Sequence, residues 1–215
     1  MPIRMLIADD HALIRQGIRS ILSDEPDLLI VAEASDGIEA VSLAEMHHPD
    51  IAVIDISMKA LNGIDATSQI VRRCPLTLVI VLSMFGDERY VNRVVRAGAK
   101  AYVLKDSSDD DLLQAIRALR AGQTFFSPAV ARLVLEGYAR SLDGSVAEDR
   151  YELITERERE VYQMLAEGKT NKVIAKYLDL SIHTVETHRI RIMTKLDVHN
   201  MAELVLNAVR RGIVA

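Results

Sequence analysis

The stretch IRMLIADD, residues 3–10, places two aspartates directly after a short apolar run. Three more runs of this kind end at a polar residue: 51–54 before Asp55, 78–82 before Ser83, and 101–104 before Lys105. Short apolar runs rich in β-branched side chains are typical of strands that are buried on both faces of a parallel sheet. These runs therefore predict an α/β fold.

Amphipathic stretches separate the runs, and they predict helices at about 11–17, 36–46, 63–72, 87–97 and 109–121. Strands that alternate with helices indicate five βα units in an open parallel sheet. Such a sheet binds ligands just beyond the carboxyl ends of its strands. The polar residues that follow the runs are therefore expected to converge at one site: Asp9, Asp10, Asp55, Ser83 and Lys105.

The three carboxylates of this site would repel each other unless a cation lay between them. Mg²⁺ prefers oxygen ligands and keeps several waters, so a few carboxylates suffice to bind it. Lys105 adds a further positive charge, and the two cations together would stabilise the negative charge of a phosphoryl group. Asp55 is then a candidate nucleophile. His11, His47 and His48 are expected to be cap or surface residues.

Composition narrows the class of protein. The chain has 215 residues, of which 49% are hydrophobic, enough for one large domain and one small one. No signal peptide or membrane span is predicted, and a cytoplasmic location is expected. Cys74 is the only cysteine, which excludes an internal disulfide and a multi-cysteine metal cluster.

Charge is distributed unevenly along the chain. Residues 150–215 contain 11 Lys and Arg against 9 Asp and Glu, whereas residues 1–149 contain 15 against 22. Between Lys169 and Lys195 there are six basic residues and two acidic ones. A local basic patch on an acidic protein indicates contact with a polyanion.

The end of the chain is predicted to be helical throughout. The first domain is predicted to span 1–122. Residues 123–150 form a linker, with a short helix at about 128–140 and a flexible stretch at 141–150. Thr155 and Glu158 form a capping box that begins a helix. A short helix at 170–177 and a longer one opened by Ser181 are separated by a brief turn, which indicates helix-turn-helix. A fourth helix begins at Asn200, so that the second domain is 151–215.

These motifs resemble the NarL/FixJ family of response regulators, which join a CheY-like receiver to a LuxR-type helix-turn-helix domain. In the first domain the similarity rests on Asp9-Asp10, DISM at 55–58, Asn62-Gly63, LSM at 82–84, Gly98-Ala99 and YVLKD at 102–106. The family implies a flavodoxin-like, doubly wound, five-stranded parallel sheet of order 2-1-3-4-5, followed by an all-α four-helix domain.

The resemblance also implies a role for each residue of the site. Asp55 would accept the phosphoryl group, and Mg²⁺ would be held by Asp10, Asp55 and the carbonyl of Ser57, with Asp9 acting through water. Ser83 and Lys105 would bind phosphoryl oxygens, and Tyr102 would be a rotamer switch coupled to Ser83. Lys59 departs from the family, in which proline is common at this position, and this departure leaves the lifetime of the phosphorylated state open.

In the second domain the similarity rests on LITERE at 153–158, Gly168, Asn171-Lys172, Ser181, Thr184-Val185, His188 and Lys195-Leu196. The resemblance implies a set of DNA-binding residues: Lys169, Lys172, His183, Thr184, Glu186, Thr187, His188, Arg189, Arg191 and Lys195. Base contacts are expected from His183, Glu186, Thr187 and Arg189, and phosphate contacts from Lys169, Lys172, Arg191 and Lys195. Two alternatives stay open: Glu186 as an ion-pair partner of Arg189, and His188 as a packing residue.

The last helix carries an apolar stripe, which predicts dimer contacts by Leu204, Val205 and Ala208, with Val209 beside them. The expected protein is a two-component transcription factor rather than an enzyme, apart from weak Mg²⁺-dependent self-dephosphorylation. Its expected partners are a sensor histidine kinase, a double-stranded DNA operator, RNA polymerase and a second copy of itself, on DNA or when phosphorylated.

Two rival functions share some of these features. An aspartyl-phosphate phosphatase also uses a carboxylate beyond a strand, but it usually carries a second acid two residues later, where this chain has Ser57. A receiver that only dimerises, without phosphorylation, is the other rival. The presence of Asp9, Asp10, Ser83 and Lys105 argues against it.

Overall fold

A computed structural model describes residues 2–84, 88–106, 109–127, 130–135 and 149–214. The chain divides into two units, one built mainly from residues before 146 and the other mainly from residues after it. Each unit is described by itself. None of the described helices is long and apolar enough to cross a membrane.

The first unit is built on a parallel sheet. Its strands are β1 (Ile3–Ala8), β2 (Leu28–Ala34), β3 (Ile51–Asp55), β4 (Leu78–Ser83), β5 (Ala101–Leu104) and β6 (Phe125–Phe126). The strand order is β2-β1-β3-β4-β5-β6, and neighbouring strands are parallel. The α/β class and the order of the first five strands are confirmed.

The predicted number of strands was wrong by one. The sixth strand pairs Phe125 with Ala101 and Phe126 with Tyr102, and its two residues are too few to show any periodicity in the sequence. β2 is an edge strand whose residues are mostly only half-buried. Residues 28–32 of β2 also form an apolar run, but no residue of the Asp9, Asp55 and Lys105 cluster follows it.

Six helices accompany the sheet in the described part of the first unit: α1 (Ala12–Ser23), α2 (Gly37–His47), α3 (Gly63–Arg73), α4 (Glu88–Arg96), α5 (Asp109–Arg120) and α6 (130–135). α1 is longer than predicted. Gly17 interrupts the apolar pattern, but Ile18 and Leu22 continue the buried face one turn further. Of the predicted linker helix, 130–135 are helical, while 128–129, 136–140 and the stretch 141–148 lie outside the described residues.

An apolar core lies between one face of the sheet and helices α1 and α5. Ile18 and Leu22 of α1, and Leu112 and Ile116 of α5, pack there against alternate residues of the central strands. Helices α2 and α3 contact strands of the same sheet. Because both faces of its central strands are buried, the sheet leaves its strand ends as the place for polar side chains.

The second unit is helical. A 3₁₀ turn at Arg150–Leu153 precedes α7 (Glu156–Ala166), α8 (Asn171–Tyr177), α9 (Ile182–Leu196) and α10 (Met201–Arg210). Each of these α-helices begins after a residue whose side chain accepts a backbone N–H bond: Thr155, Thr170, Ser181 and Asn200. The predicted capping box is present, since Glu158 accepts from the Thr155 amide at 2.8 Å.

Tyr151 ties the 3₁₀ turn to two helices. Its buried ring lies 4.7 Å from the guanidinium carbon of Arg159 and 5.2 Å from that of Arg211, and it meets the ring of Tyr162 edge to face. The Tyr162 hydroxyl donates to Oδ1 of Asn207 at 2.8 Å. The start of the unit, α7 and α10 therefore share one aromatic and cationic cluster.

Replacing Tyr151 by Leu should destabilise the second unit by about 1–2 kcal/mol, because an apolar side chain keeps the burial but loses the cation–π and edge-to-face contacts. The measurement is urea unfolding of the full chain, followed by far-UV circular dichroism. Tyr177→Leu is the matched control, since that ring is 49% exposed. An equal loss of stability in both variants would contradict the assignment.

Candidate functional site

Polar side chains from three strands meet at one edge of the sheet. Asp9 and Asp10 follow β1, Asp55 ends β3, and Lys105 follows β5. The Lys105 ammonium lies 2.7 Å from Oδ2 of Asp9 and 2.9 Å from Oδ1 of Asp55. Asp9 is fully buried, and Asp55 and Lys105 nearly so. The structure thus brings Asp9, Asp55 and Lys105, three of the predicted residues, into direct contact.

Burial shapes the electrostatics of this cluster. It raises the pKa of Asp55 above its ordinary value, and the charge of Asp9 adds to the effect, while Lys105 opposes it. Burial by itself would lower the pKa of Lys105, but its hydrogen bonds and ion pairs with Asp9 and Asp55 outweigh this and raise it. Lys105 is therefore a cation at neutral pH, held by the carboxylates of Asp9 and Asp55.

The donor set fits a hard divalent cation. One ligand atom from each of Asp9, Asp10, His11 and Asp55 lies within 4.8 Å of the others. Oδ2 of Asp55 is buried and has no hydrogen-bond partner among the described residues. A buried carboxylate oxygen without a donor is costly unless a cation or an incoming group satisfies it. Mg²⁺ prefers such oxygens.

His11 belongs to this cluster as well as to α1. It is the N-cap residue of α1 and is largely exposed, as expected of a cap or surface residue, but its Nδ1 lies 2.7 Å from Oδ1 of Asp10. Its backbone amide donates to Oδ1 of Asp9 at 2.8 Å. Its position directly after the two aspartates is the signal in the sequence that could have assigned it to the site.

The loop after β3 depends on Gly63. A Cβ at this residue would lie 1.8 Å from the carbonyl oxygen of Asp55, so no other residue fits without moving the backbone. The Gly63 amide donates to the carbonyl of Ile56 at 2.9 Å, which closes the loop beside the end of β3. The Ser57 amide donates to the Asp55 carboxylate and thereby lowers its pKa. A metal-binding role for the Ser57 carbonyl stays a prediction.

Ser83 and Tyr102 lie on neighbouring strands and are both fully buried. Tyr102 is in register with Val81, two residues before Ser83, so the two side chains share a face of the sheet. The carbonyl of Ser83 accepts from the Lys105 amide at 2.8 Å. The backbone of Lys105 is therefore bonded to the end of β4. The predicted phosphoryl and switch roles of Ser83 and Tyr102 stay predictions.

In the second unit, α9 has one buried face and one outward face. Val185, Ile192 and Leu196 are buried, whereas His183, Glu186 and Arg191 are exposed and Thr187 and Arg189 half-buried. Lys169 and Lys172, at the start of α8, are also exposed. Most of the predicted DNA-binding side chains are therefore accessible.

Two predicted DNA-binding residues have partners within the unit, and a third is partly buried. Thr184 belongs to the cap of α9, where its hydroxyl lies 2.7 Å from that of Ser181. The Lys195 ammonium lies 2.6 Å from Oε2 of Glu158 in the capping box of α7. Nδ1 of His188 is buried without a partner among the described residues, and burial lowers the pKa of this imidazole. The burial of its imidazole favours the packing alternative for His188.

The structure also bears on the alternative role of Glu186 as an ion-pair partner of Arg189. Within the described part of the chain, no ion pair joins Glu186 to Arg189, which leaves Glu186 exposed on the outward face. Thr187, one residue along, donates its hydroxyl to the carbonyl of His183 at 2.9 Å. The alternative in which Glu186 only supports α9 by pairing with Arg189 is thus not observed.

The predicted dimer residues need correction. Leu204 and Ala208 are fully buried inside the second unit, so they pack its own core and are not available to a partner. Val205 is half-buried, and Val209 is 45% exposed. The exposed apolar stripe of α10 consists instead of Ala202, Val205, Leu206 and Val209. Helical periodicity marks the apolar positions but does not show which of them the same domain covers.

Comparison with known proteins gives a match for each unit. Residues 5–117 match the family described as response regulator receiver domain, and residues 152–208 match the family described as bacterial regulatory proteins, luxR family. The chain is 36% identical to the oxygen regulatory protein NreC of Staphylococcus carnosus over 214 residues, covering 98% of this chain and 99% of that one.

Two further similar proteins cover the whole chain. The transcriptional regulatory protein DegU of Brevibacillus brevis is 33% identical over 224 residues, with 99% of this chain and 95% of DegU covered. The solved complex of the two-component response regulator RcsB with DNA has a TM-score of 0.61 and 28% identity, covering 98% of this chain and 99% of that one.

The Glu158 contacts generate a prediction about acid stability. Burial raises the pKa of Glu158, but hydrogen bonds from Lys195 and the Thr155 amide outweigh it, so the pKa lies below its usual 4.5. The unfolded state then binds more protons than the folded state near this pH. The contribution of Glu158 to the free energy of unfolding should therefore be fully present above its ordinary pKa and fall as the pH drops through the folded-state pKa.

Glu158→Gln tests this directly by urea unfolding of the full chain between pH 6 and pH 3.5. We expect a loss of about 1–2 kcal/mol at pH 6 and a weaker decline toward low pH. Glu186→Gln, at an exposed position, is the matched control and should keep the original pH dependence. A Glu158→Gln variant with the full decline would show that another carboxylate is responsible.

Proposed function

Because this chain belongs to the NarL/FixJ-type response regulators, two-component proteins that carry a LuxR-type DNA-binding domain, we propose that phosphorylation of Asp55 by a partner histidine kinase controls its dimerisation and its sequence-specific binding to DNA. RNA polymerase is a further proposed partner in transcription. Since the DNA of a bacterial cell is cytoplasmic, we propose that the protein acts there.

One observation carries the receiver part of this proposal. Lys105 is held between Asp9 and Asp55, beside a buried Asp55 oxygen that has no hydrogen-bond partner in the described part of the chain. This is an arrangement that can accept a phosphoryl group, since it combines a carboxylate nucleophile with a fixed cation for the phosphoryl oxygens.

Each residue of the cluster has a proposed task. Mg²⁺ would be held by Asp10, Asp55 and the Ser57 carbonyl, and when bound it supplies positive charge against the negative phosphoryl oxygens. The Asp55 carboxylate attacks phosphorus, forming the O–P bond as the P–N bond to the kinase histidine breaks. Lys105 and the Ser83 hydroxyl donate to the transferred oxygens.

The cluster is proposed as a switch and not as a turnover site. Beyond weak Mg²⁺-dependent loss of the phosphate from Asp55, no enzymatic activity is proposed. The position two residues after Asp55, where aspartyl-phosphate phosphatases usually have their acid, is occupied by Ser57. Phosphorylation of Asp55 would instead shift a two-state equilibrium of the receiver. Ser83 would bind the phosphoryl group, and the side chain of Tyr102 would change rotamer with it.

The output part of the proposal rests on α9. A helix-turn-helix places its second helix in the major groove, with base contacts from its outward face and phosphate contacts around it. His183, Glu186 and Arg189 are proposed for base edges, and Thr187 is proposed there as an acceptor, since its hydroxyl donates to the His183 carbonyl. Phosphate contacts are assigned to Lys169, Lys172 and Arg191, whereas Lys195 and His188 would hold α9 against α7.

Incubation with acetyl phosphate and Mg²⁺ should add one phosphoryl group to the chain, detected by intact-protein mass spectrometry. Asp55→Asn should remove the adduct because it removes the nucleophile, and chelation of Mg²⁺ should reduce it strongly. Asp106→Asn, an exposed neighbour of Lys105, is the control and should label normally. Equal labelling of Asp55→Asn would contradict the proposal.

Dimerisation on DNA is expected to use the exposed stripe of α10. Val209→Glu should lower affinity for a palindromic site at least tenfold while the fold is kept, because it places a charge on the surface that would be buried between two copies. Leu153→Glu, an apolar residue that is 60% exposed outside α10, should have little effect. The measurement is an electrophoretic mobility shift with a site selected from random DNA. Unchanged binding by Val209→Glu would rule out this interface.

A further inference from the structure

Ile190 lies in the middle of the outward face of α9. Its side chain is 67% exposed, although isoleucine is a residue that usually lies in the core. Two residues, and so about 200° around the helix, separate it from the buried Ile192. The exposed isoleucine is therefore on the side of α9 that points away from its own domain.

The neighbours of Ile190 on this face offer few free hydrogen-bond donors. Thr187 lies one turn before it, and its hydroxyl donates to the His183 carbonyl at 2.9 Å. Thr194 lies one turn after it, and its hydroxyl donates to the carbonyl of Ile190 itself at 3.0 Å. Because both hydroxyls are engaged with the helix backbone, the centre of the face is suited to apolar contact.

Exposed cations follow Ile190 on α9 and lie on the preceding helix. Arg191 is exposed beside it on α9, and Lys169, Lys172 and Lys176 are exposed at or near α8. These charges favour a polyanion as the partner of the face. The partner must then present an apolar group within a negatively charged surface. In the major groove of DNA, the C5-methyl of thymine is that group.

We propose that Ile190 contacts thymine methyl groups in the major groove and thereby sets the sequence preference of the protein at one base pair of each half-site. This inference rests on the proposed DNA binding and extends it. The polar residues of α9 select bases by hydrogen bonds, whereas Ile190 adds discrimination that needs no hydrogen bond.

The test starts from DNA alone. Full-length protein, treated with acetyl phosphate and Mg²⁺, is used to select duplexes from a random library, and the enriched sequence is synthesised. Each thymine is then replaced singly by deoxyuridine, which removes one methyl group and keeps the base pairing. Loss of one buried methyl corresponds to about fourfold in affinity. We expect such a loss at one position in each half-site.

Ile190→Ala should bind the thymine duplex several-fold more weakly and should show no further loss when that thymine is replaced by deoxyuridine. Ile190→Val, which keeps a branched apolar side chain, should retain part of the methyl effect. Ile182→Ala is the matched control, since Ile182 is an isoleucine of the same helix that is 48% exposed. This variant should keep the full effect at that base pair. Circular dichroism verifies that each variant is folded.

The outcomes separate this inference from the function on which it rests. If no sequence is enriched, the proposed sequence-specific DNA binding is wrong, and the role of Ile190 falls with it. If a sequence is enriched but no thymine methyl matters, or if Ile190→Ala is as sensitive to deoxyuridine as the unaltered protein, DNA binding stands and the role of Ile190 is overturned.

Discussion

The bond network of Lys105 is the constraint on which the receiver depends. Burial of the apolar residues of β1, β3 and β5 forces Asp9 and Asp55 to the same edge of the sheet, where two carboxylates within reach of each other are unfavourable. One ammonium between them offsets this repulsion. It does not balance the charge of the cluster, because Asp10 adds a third carboxylate. The fold thus holds a site that gains stability when a further cation enters.

The backbone beside Asp55 turns tightly at Gly63. The chain turns back so tightly after β3 that a Cβ at this residue would overlap the Asp55 carbonyl. The turn leads straight into α3, so the loop that follows Asp55 stays short and its amides remain near the Asp55 carboxylate. The amide of Ser57 is one of them, and its bond to Asp55 opposes the effect of burial on the pKa of that group. Local backbone geometry and the electrostatics of the site are therefore linked.

Much of this arrangement could be predicted from the sequence, because the four apolar runs that end in a polar residue specify both the strands and the site. β6 could not be placed this way because it has only two residues, and β2 has an apolar run at 28–32 but supplies no residue to the site. Leu204 and Ala208 were assigned to a dimer surface because periodicity marks a face as apolar without showing what covers it. The ion pair of Lys195 with Glu158 joins residues 37 positions apart, and only the packing of α7 against α9 brings them together.

In both units, charged or polar side chains stay available because the segment that carries them is held in place by other contacts. In the second unit, α9 is fixed from behind by Val185, Ile192 and the Lys195–Glu158 pair, so its outward face needs no contacts of its own to stay in place. In the first, Lys105 is fixed through its backbone, whose amide donates to the Ser83 carbonyl, while its ammonium is held by two carboxylates. Under the proposed function, a phosphoryl group on Asp55 competes for that ammonium. The same residue is bonded through its backbone amide to the Ser83 carbonyl at the end of β4, so it connects the charge at the site with the neighbouring strand. A single charged side chain can in this way convert a local covalent change into a change of conformation.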